Sequence, residues 1–192
     1  MNNFSSKYIG GLREVLDSFP HDEFDQLTSA MLDAREKGRH IFTMGNGGSA
    51  STASHWACDI NKGCCVKGRN RFRMICLNDS LPTLLAYAND LTYEDVFVEQ
   101  LKNFFEPGDL VIGISGSGNS ENVLRAIDYA NENNGTTAGL CGYSGGKLRD
   151  RVRIPLWAEV DDMQKVEDIH MIIVHMNMQN ILQELSDDRS TD

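Results

Sequence analysis

Residues 109–130 read DLVIGISGSGNSENVLRAIDYA: an unbroken apolar run, a turn of glycines and serines, then an amphipathic repeat. An apolar run without polar alternation is the pattern of a strand buried on both faces, as in a parallel sheet. Parallel strands need a crossover, usually a helix, to carry the chain back across the sheet. The same grammar occurs earlier, where HIFTMG at 40–45 leads into GNGGSAS at 45–51. Further strand-like runs are RMICLN at 73–78 and TAGLCG at 137–142. RIPLWAEV at 153–160 is weaker, because Pro155 suits only an edge strand. Apolar residues at helical spacing predict helices over 22–38, 93–105, 120–133 and about 163–186. This alternation predicts an α/β fold, a doubly wound parallel sheet flanked by helices with right-handed crossovers. A chain of 192 residues suits one domain over 1–192, with an N-terminal helical extension over about 1–38. The extension precedes every strand and is expected to pack on another subunit.

A formal net charge of −10 argues against a nucleic-acid partner, which would require a basic face. No apolar run approaches the roughly 18 residues that span a bilayer, so no membrane partner is expected. The start, MNNFSSKYIGGLREVL, lacks the charged-then-apolar layout of a secretory signal, which points to the cytoplasm. Cys58, Cys64, Cys65, Cys76 and Cys141 follow neither a disulfide framework nor a zinc-ribbon spacing, so free thiols are expected.

A strand–turn–helix step places unpaired amides and the positive end of the helix dipole at the carboxyl edge of the sheet. Doubly wound sheets bind their ligands at that edge. Glycines allow close backbone approach and serine hydroxyls donate to phosphate oxygens, so Ser115, Ser117 and Ser120 form a candidate phosphate cradle. The plainer reading is that Ser120, followed by Glu121, simply caps a helix. Dinucleotide binding fits less well, because RMICLND offers no acidic residue at the strand end except Asp79 beyond Asn78. A Walker loop also fails, since no Lys-Ser or Lys-Thr closes either glycine turn.

His55 and Asp59 stand at i and i+4 and share a helix face. Late in the chain, KVEDIHMIIVH carries Glu167, His170 and His175. Two histidines and two carboxylates make a zinc set, with an open coordination position if one ligand is loose.

Taken in order, GNGGSA with the following His55 and Asp59, AND at 88–90, GISGSGNS at 113–120, GYSGGKL at 142–148 and the Glu167–His175 segment resemble the phosphoheptose isomerases of the sugar isomerase (SIS) superfamily. The resemblance spans nearly the whole chain. It implies a five-stranded parallel sheet and a homotetramer with sites between subunits. The implied reaction is aldose–ketose isomerisation of sedoheptulose 7-phosphate to D-glycero-D-manno-heptose 7-phosphate. It further implies that Ser115, Gly116, Ser117 and Ser120 hold the phosphate, and that Asn46, Gly47, Ser49, Asp90 and Gln164 contact the sugar. His55, Asp59, Glu167 and His175 would hold Zn²⁺, with Asp59, Glu167 and His175 the catalytic residues.

Four positions depart from the family pattern. Gly116 stands for threonine, Asp59 for glutamate, Glu167 for glutamine and Gln164 for aspartate. Asp for Glu withdraws the carboxylate by one methylene, and a displacement of order 1 Å can cost ~100-fold in rate. Glu for Gln adds negative charge, which tightens cation binding and reduces the metal's Lewis acidity. Two other readings are open: a non-catalytic SIS module that binds a phosphosugar or a partner, and an isomerase of a different phosphosugar. Both metal histidines are present, which weighs against the first.

Overall fold

In the computed structural model, which describes residues 3–187, the unbroken apolar runs are strands covered on both faces. β1 (Ile41–Gly45) and β3 (Leu110–Ser115) are buried at every residue, and β4 (Thr136–Cys141) at all but its first. β2 (Met74–Cys76) and β5 (Ile154–Trp157) are short and form the edges. All pairings are parallel, in the order β2-β1-β3-β4-β5. Pro155 lies on the edge strand, as its missing N–H requires.

The helices are α1 (Phe4–Asp17), α2 (His21–Glu36), α3 (Gly48–Gly63), α4 (Leu81–Asp90), α5 (Val98–Phe104), α6 (Glu121–Glu132), α7 (Gly146–Arg151) and α8 (Met163–Asp187). The helix expected over 93–105 is broken into a 3-10 turn, Tyr93–Asp95, and α5. The strand expected over 153–160 stops at Trp157. Among the described residues no helix is long and apolar enough to cross a membrane. All five cysteines are free thiols; burial pushes that of Cys64 up to about 11 and those of Cys76 and Cys141 up to about 12.

The expectation that the N-terminal helices lack an intramolecular partner is corrected for α2. Its Phe24, Leu27 and Met31 are buried with Ile41, Leu110, Ile112, Ile114 and Leu156 of the sheet in one core. α3 and α8 complete that layer through Trp56, Ile60, Ile169, Ile173 and Ile181. α1 packs more shallowly, with Val15 its one buried residue, Tyr8 OH donating to Asp168 of α8 at 2.7 Å, and Phe4 and Ile9 exposed. The other face is covered by α5, α6 and α7 through Leu101, Val123, Leu124, Ile127 and Leu148.

α3 and α8 run side by side in the same direction. Gly48 faces Glu167, Trp56 Nε1 donates to Asn177 Oδ1 at 3.2 Å, and Gly63 faces Met178. α8 also carries His170 into the core, where it is 1% exposed. Its Nε2 lies 3.3 Å from the Cys141 carbonyl oxygen, and its Nδ1 has no partner. Burial without a counter-charge pushes its pKa down to about 4. Between pH 4 and 6.5 the unfolded chain then binds more protons at this position than the folded one. Stability is therefore full above the unfolded value and falls as the pH drops through that window, by up to roughly 3 kcal/mol. Denaturant midpoints at pH 7.5 and 5 are expected to show this loss in the wild type and much less of it in His170→Phe.

Candidate active site

The direction in which successive strands are added to the sheet reverses at β1, whose successor β2 lies on one side while β3 lies on the other. The crevice beyond the carboxyl ends of such a strand pair is the ligand position of doubly wound sheets. A cavity of about 290 Å³ opens there. Its walls are Asn46, Gly47, Gly48 and Ser49 after β1, and Ser115, Gly116, Ser117 and Ser120 after β3. Ile114, Met163 and Glu167 close it.

The β3–α6 turn is not a capped helix start. Ser120 occupies the N-cap position of α6 but makes no side-chain cap bond. Its hydroxyl pairs instead with the Ser115 hydroxyl at 3.0 Å, so the N-cap side chain satisfies none of the first-turn amides of α6, of which that of Val123 donates to Asn122 Oδ1 at 3.0 Å. The start of α3 is likewise without a side-chain cap, with Gly47 at φ 55°. Two helix N-termini thus converge on one cavity, an arrangement that attracts an anion.

The GYSGGKL segment holds this turn from behind. Gly118, at φ 67°, accepts from the Leu148 N–H at 2.9 Å, and the Lys147 N–H donates to Asn119 Oδ1 at 3.2 Å. A Cβ at Gly118 would fall inside the Gly145 carbonyl. At Gly116 a Cβ would meet Met163 Sδ at 2.6 Å, so the thioether occupies space that a threonine there would need.

At the other end of the site, His55 and Asp59 of α3 meet His175 of α8. His55 Nε2 lies 3.0 Å from His175 Nε2 and 3.1 Å from Asp59 Oδ2. One donor atom from each of the three falls within 4.8 Å of the others. Zinc–nitrogen bonds of about 2.0–2.1 Å at tetrahedral angles put two ligand nitrogens ~3.3 Å apart. The two spacings from His55 lie near that value and the third is within 4.8 Å, and three ligands leave the fourth position open. The residues therefore fit zinc.

Glu167, the fourth expected ligand, is not among the three whose donor atoms come together in this chain; its carboxylate lies beside Gly48. Asp90 and Gln164 also lie outside the cavity of their own chain. Asp90 ends α4, exposed, and accepts from Asn89 Nδ2 at 2.8 Å; Gln164 is exposed in the first turn of α8. The remaining expected contacts, Asn46, Gly47, Ser49, Ser115, Gly116, Ser117 and Ser120, are brought together. The sequence reading missed Gly48 and Met163 as lining residues, and Tyr93 and Asn122 as partners of Asn46. Met163 reads as an ordinary helix start, and a lone asparagine in a first turn carries no signal of its partner.

Comparisons with known proteins agree with this geometry. A family model described as SIS domain matches residues 7–142. The phosphoheptose isomerase of Helicobacter pylori (strain ATCC 700392 / 26695) is 34% identical over 170 residues, 88% of this chain and 84% of its own. That of Geotalea daltonii is 36% identical over 146 residues, 76% of each chain. A solved phosphoheptose isomerase from Francisella tularensis superposes with a TM-score of 0.86 at 26% identity, covering 95% of this chain and 96% of that one. The crevice between two anion-attracting helix starts, and the His–Asp–His group formed by α3 and α8, thus sit on a backbone shared with the Francisella tularensis enzyme. The chain belongs to the SIS-domain family of phosphoheptose isomerases.

Proposed function

We propose that this protein isomerises sedoheptulose 7-phosphate to D-glycero-D-manno-heptose 7-phosphate through an enediol. The observation that carries the reading is an anion cradle at the start of α3 paired with a His–Asp–His group further along it, which His175 of α8 completes. His55 follows Gly48 by seven residues, about 10 Å of helical rise. An open-chain sugar phosphate of six or seven carbons has that reach, so its phosphate rests at Ser115–Ser120 while its carbonyl end lies toward His55 and His175. Asn46, Gly47 and Ser49 line the path between them.

In this reading Asp59 removes the proton next to the carbonyl, since its carboxylate stands at the end of the site where the carbonyl rests. His175 moves the proton between the two oxygens of the enediol. Glu167 orients sugar hydroxyls beside Gly48. A zinc ion held by His55, Asp59 and His175 would supply Lewis-acid polarisation of the carbonyl oxygen.

The assembly is a homotetramer in the cytoplasm, with each site completed by a neighbouring subunit. α4 supports this, for it buries none of its residues and leaves Leu81 and Leu85 60% and 56% exposed. Asp90 at its end and Gln164 at the start of α8 are the two expected sugar contacts that no cavity of their own chain includes. We read the chain as one SIS domain, a reading supported by the single continuous sheet of β1 to β5.

Incubation of the purified chain with sedoheptulose 7-phosphate and zinc, followed by NMR and mass analysis, is expected to yield the aldose. Ser120→Ala is expected to raise KM for it 10-fold or more, because hydrogen bonds to charged groups are worth ~1.5–3 kcal/mol. Exchange with a five- or six-carbon phosphosugar alone would reassign the substrate; no ketose–aldose exchange with any of them would overturn the isomerase reading.

A further inference from the structure

Asn46 is held by three hydrogen bonds that fix which way its amide points. Its Nδ2 donates to Asn122 Oδ1 at 2.9 Å, and its Oδ1 accepts from Asn122 Nδ2 at 3.0 Å. Tyr93 OH donates to the same Oδ1 at 2.7 Å. The orientation of Asn122 is set by a group that cannot be turned round: the Val123 backbone N–H donates to Asn122 Oδ1 at 3.0 Å. Asn122 is itself 2% exposed. With Asn122 Oδ1 an acceptor of two bonds, its Nδ2 faces Asn46, and Asn46 can present only its oxygen there. Both acceptor sites of that oxygen are then filled.

One polar function of Asn46 is left, the second N–H of its Nδ2, and Asn46 lines the cavity. The turn that carries Tyr93 is fastened to the same helix as Asn122. Arg125 of α6 donates to Asp95 at 2.7 Å, and Thr92 donates to the same carboxylate at 2.7 Å. These bonds hold the Asp95 carboxyl below its ordinary range, the Thr92 bond contributing most and Arg125 next.

We propose that Asn122 and Tyr93 are positioning residues that make Asn46 a donor only, aimed at an oxygen of the bound sugar phosphate. An asparagine free to turn offers either end of its amide to a sugar, whose hydroxyls both donate and accept. A locked donor selects for an oxygen that must accept, such as the carbonyl or the enediolate it becomes. The proposal rests on the isomerase reading above, and Asn122 and Tyr93 act through Asn46 without touching substrate.

A double-mutant cycle tests it. Asn46→Ala is expected to lower kcat/KM about 100-fold, the cost of removing one preorganised donor. Asn122→Asp cannot donate to Asn46 Oδ1, repels it, and draws the amide N–H groups of Asn46 to itself. It is expected to lower kcat/KM at least tenfold, and Tyr93→Phe a few-fold, each mainly in kcat with KM little changed. The decisive result is non-additivity: N46A/N122D is expected to be as active as N46A within about twofold, the scatter of independent sites. Additive losses would overturn the proposal, because a residue that merely supports the fold would act on both backgrounds alike. So would an Asn122→Asp enzyme with wild-type kcat. Thermal midpoints identify any variant that has lost its fold, and Tyr93→Phe then serves as the milder arm. If the wild type binds sedoheptulose 7-phosphate without turning it over, the isomerase reading fails alone, and the same cycle is read in calorimetric affinity for a phosphorylated hydroxamate, whose two oxygens mimic the enediolate. A wild type that neither turns over nor binds overturns both.

Discussion

Replacing His175 with alanine is expected to lower kcat/KM by about 10³-fold and to strip the protein of zinc, from about one ion per chain to a small fraction. The activity figure is what a positioned acid–base group contributes; the metal figure follows from reducing three ligands to two. His55 Nε2 and His175 Nε2 are 3.0 Å apart, so each imidazole occupies the place where the other's partner must be. With His175 gone, His55 and Asp59 remain as an i, i+4 pair, 44% and 30% exposed. Such a pair does not hold zinc against solvent. Metal content by mass spectrometry and turnover of sedoheptulose 7-phosphate are measured on the same samples. Loss of turnover with zinc retained would assign His175 to proton transfer alone. Loss of neither would remove the group from the reaction.

Glu167→Gln, by contrast, is expected to leave zinc content unchanged, because its carboxylate reaches Gly48 and not the three ligands. Glu167 lies apart from the three in this chain, and the reason is geometric. Spacing along a helix tells which residues share a face, and Glu167 and His175 do share one. It does not tell that α3 runs parallel to α8, so that each turn of one helix meets its own counterpart on the other. Gly48, without a side chain, admits Glu167 at the first turn, and His55 meets His175 two turns later.

The sheet was more legible. Unbroken apolar runs in β1, β3 and β4 mark burial on both faces, and glycine–serine turns mark the carboxyl edge without any knowledge of tertiary contacts. α4 carries a weak signal because its apolar residues are split between two sides: Leu84, Tyr87 and Ala88 pack against the core while Leu81 and Leu85 are exposed, and none of its residues is fully buried. α2 was misplaced for the opposite reason. A helix ahead of the first strand has no neighbour in sequence, yet Leu27 and Met31 are fully buried against the sheet that forms later. The Asn46–Asn122–Tyr93 cluster was invisible, since its members are separated by 76 and 47 residues from Asn46 and belong to three elements.

Gly118→Ala is expected to destabilise the protein by about 2–5 kcal/mol, the sum of a left-handed backbone and a clash. Gly38→Ala separates those two costs. Gly38 has nearly the same conformation, φ 64° against 67°, but open space around a new Cβ. It is therefore expected to cost only the conformational part, about 1–2 kcal/mol. At Gly118 the Cβ falls on the Gly145 carbonyl, so the 142–148 segment must withdraw from the turn. Withdrawal breaks the Leu148 N–H bond to the Gly118 carbonyl and the Lys147 N–H bond to Asn119. Those bonds set the path of the chain between Ser117 and Ser120. KM for the phosphosugar is accordingly expected to rise tenfold or more in the folded fraction of Gly118→Ala and to be unchanged in Gly38→Ala. Equal losses of stability in urea and equal KM values in the two variants would mean that the turn keeps its shape without the segment behind it. The cradle would then be a property of residues 115–120 alone. A difference in both measurements would make GYSGGKL part of the phosphate site, although only its backbone approaches it.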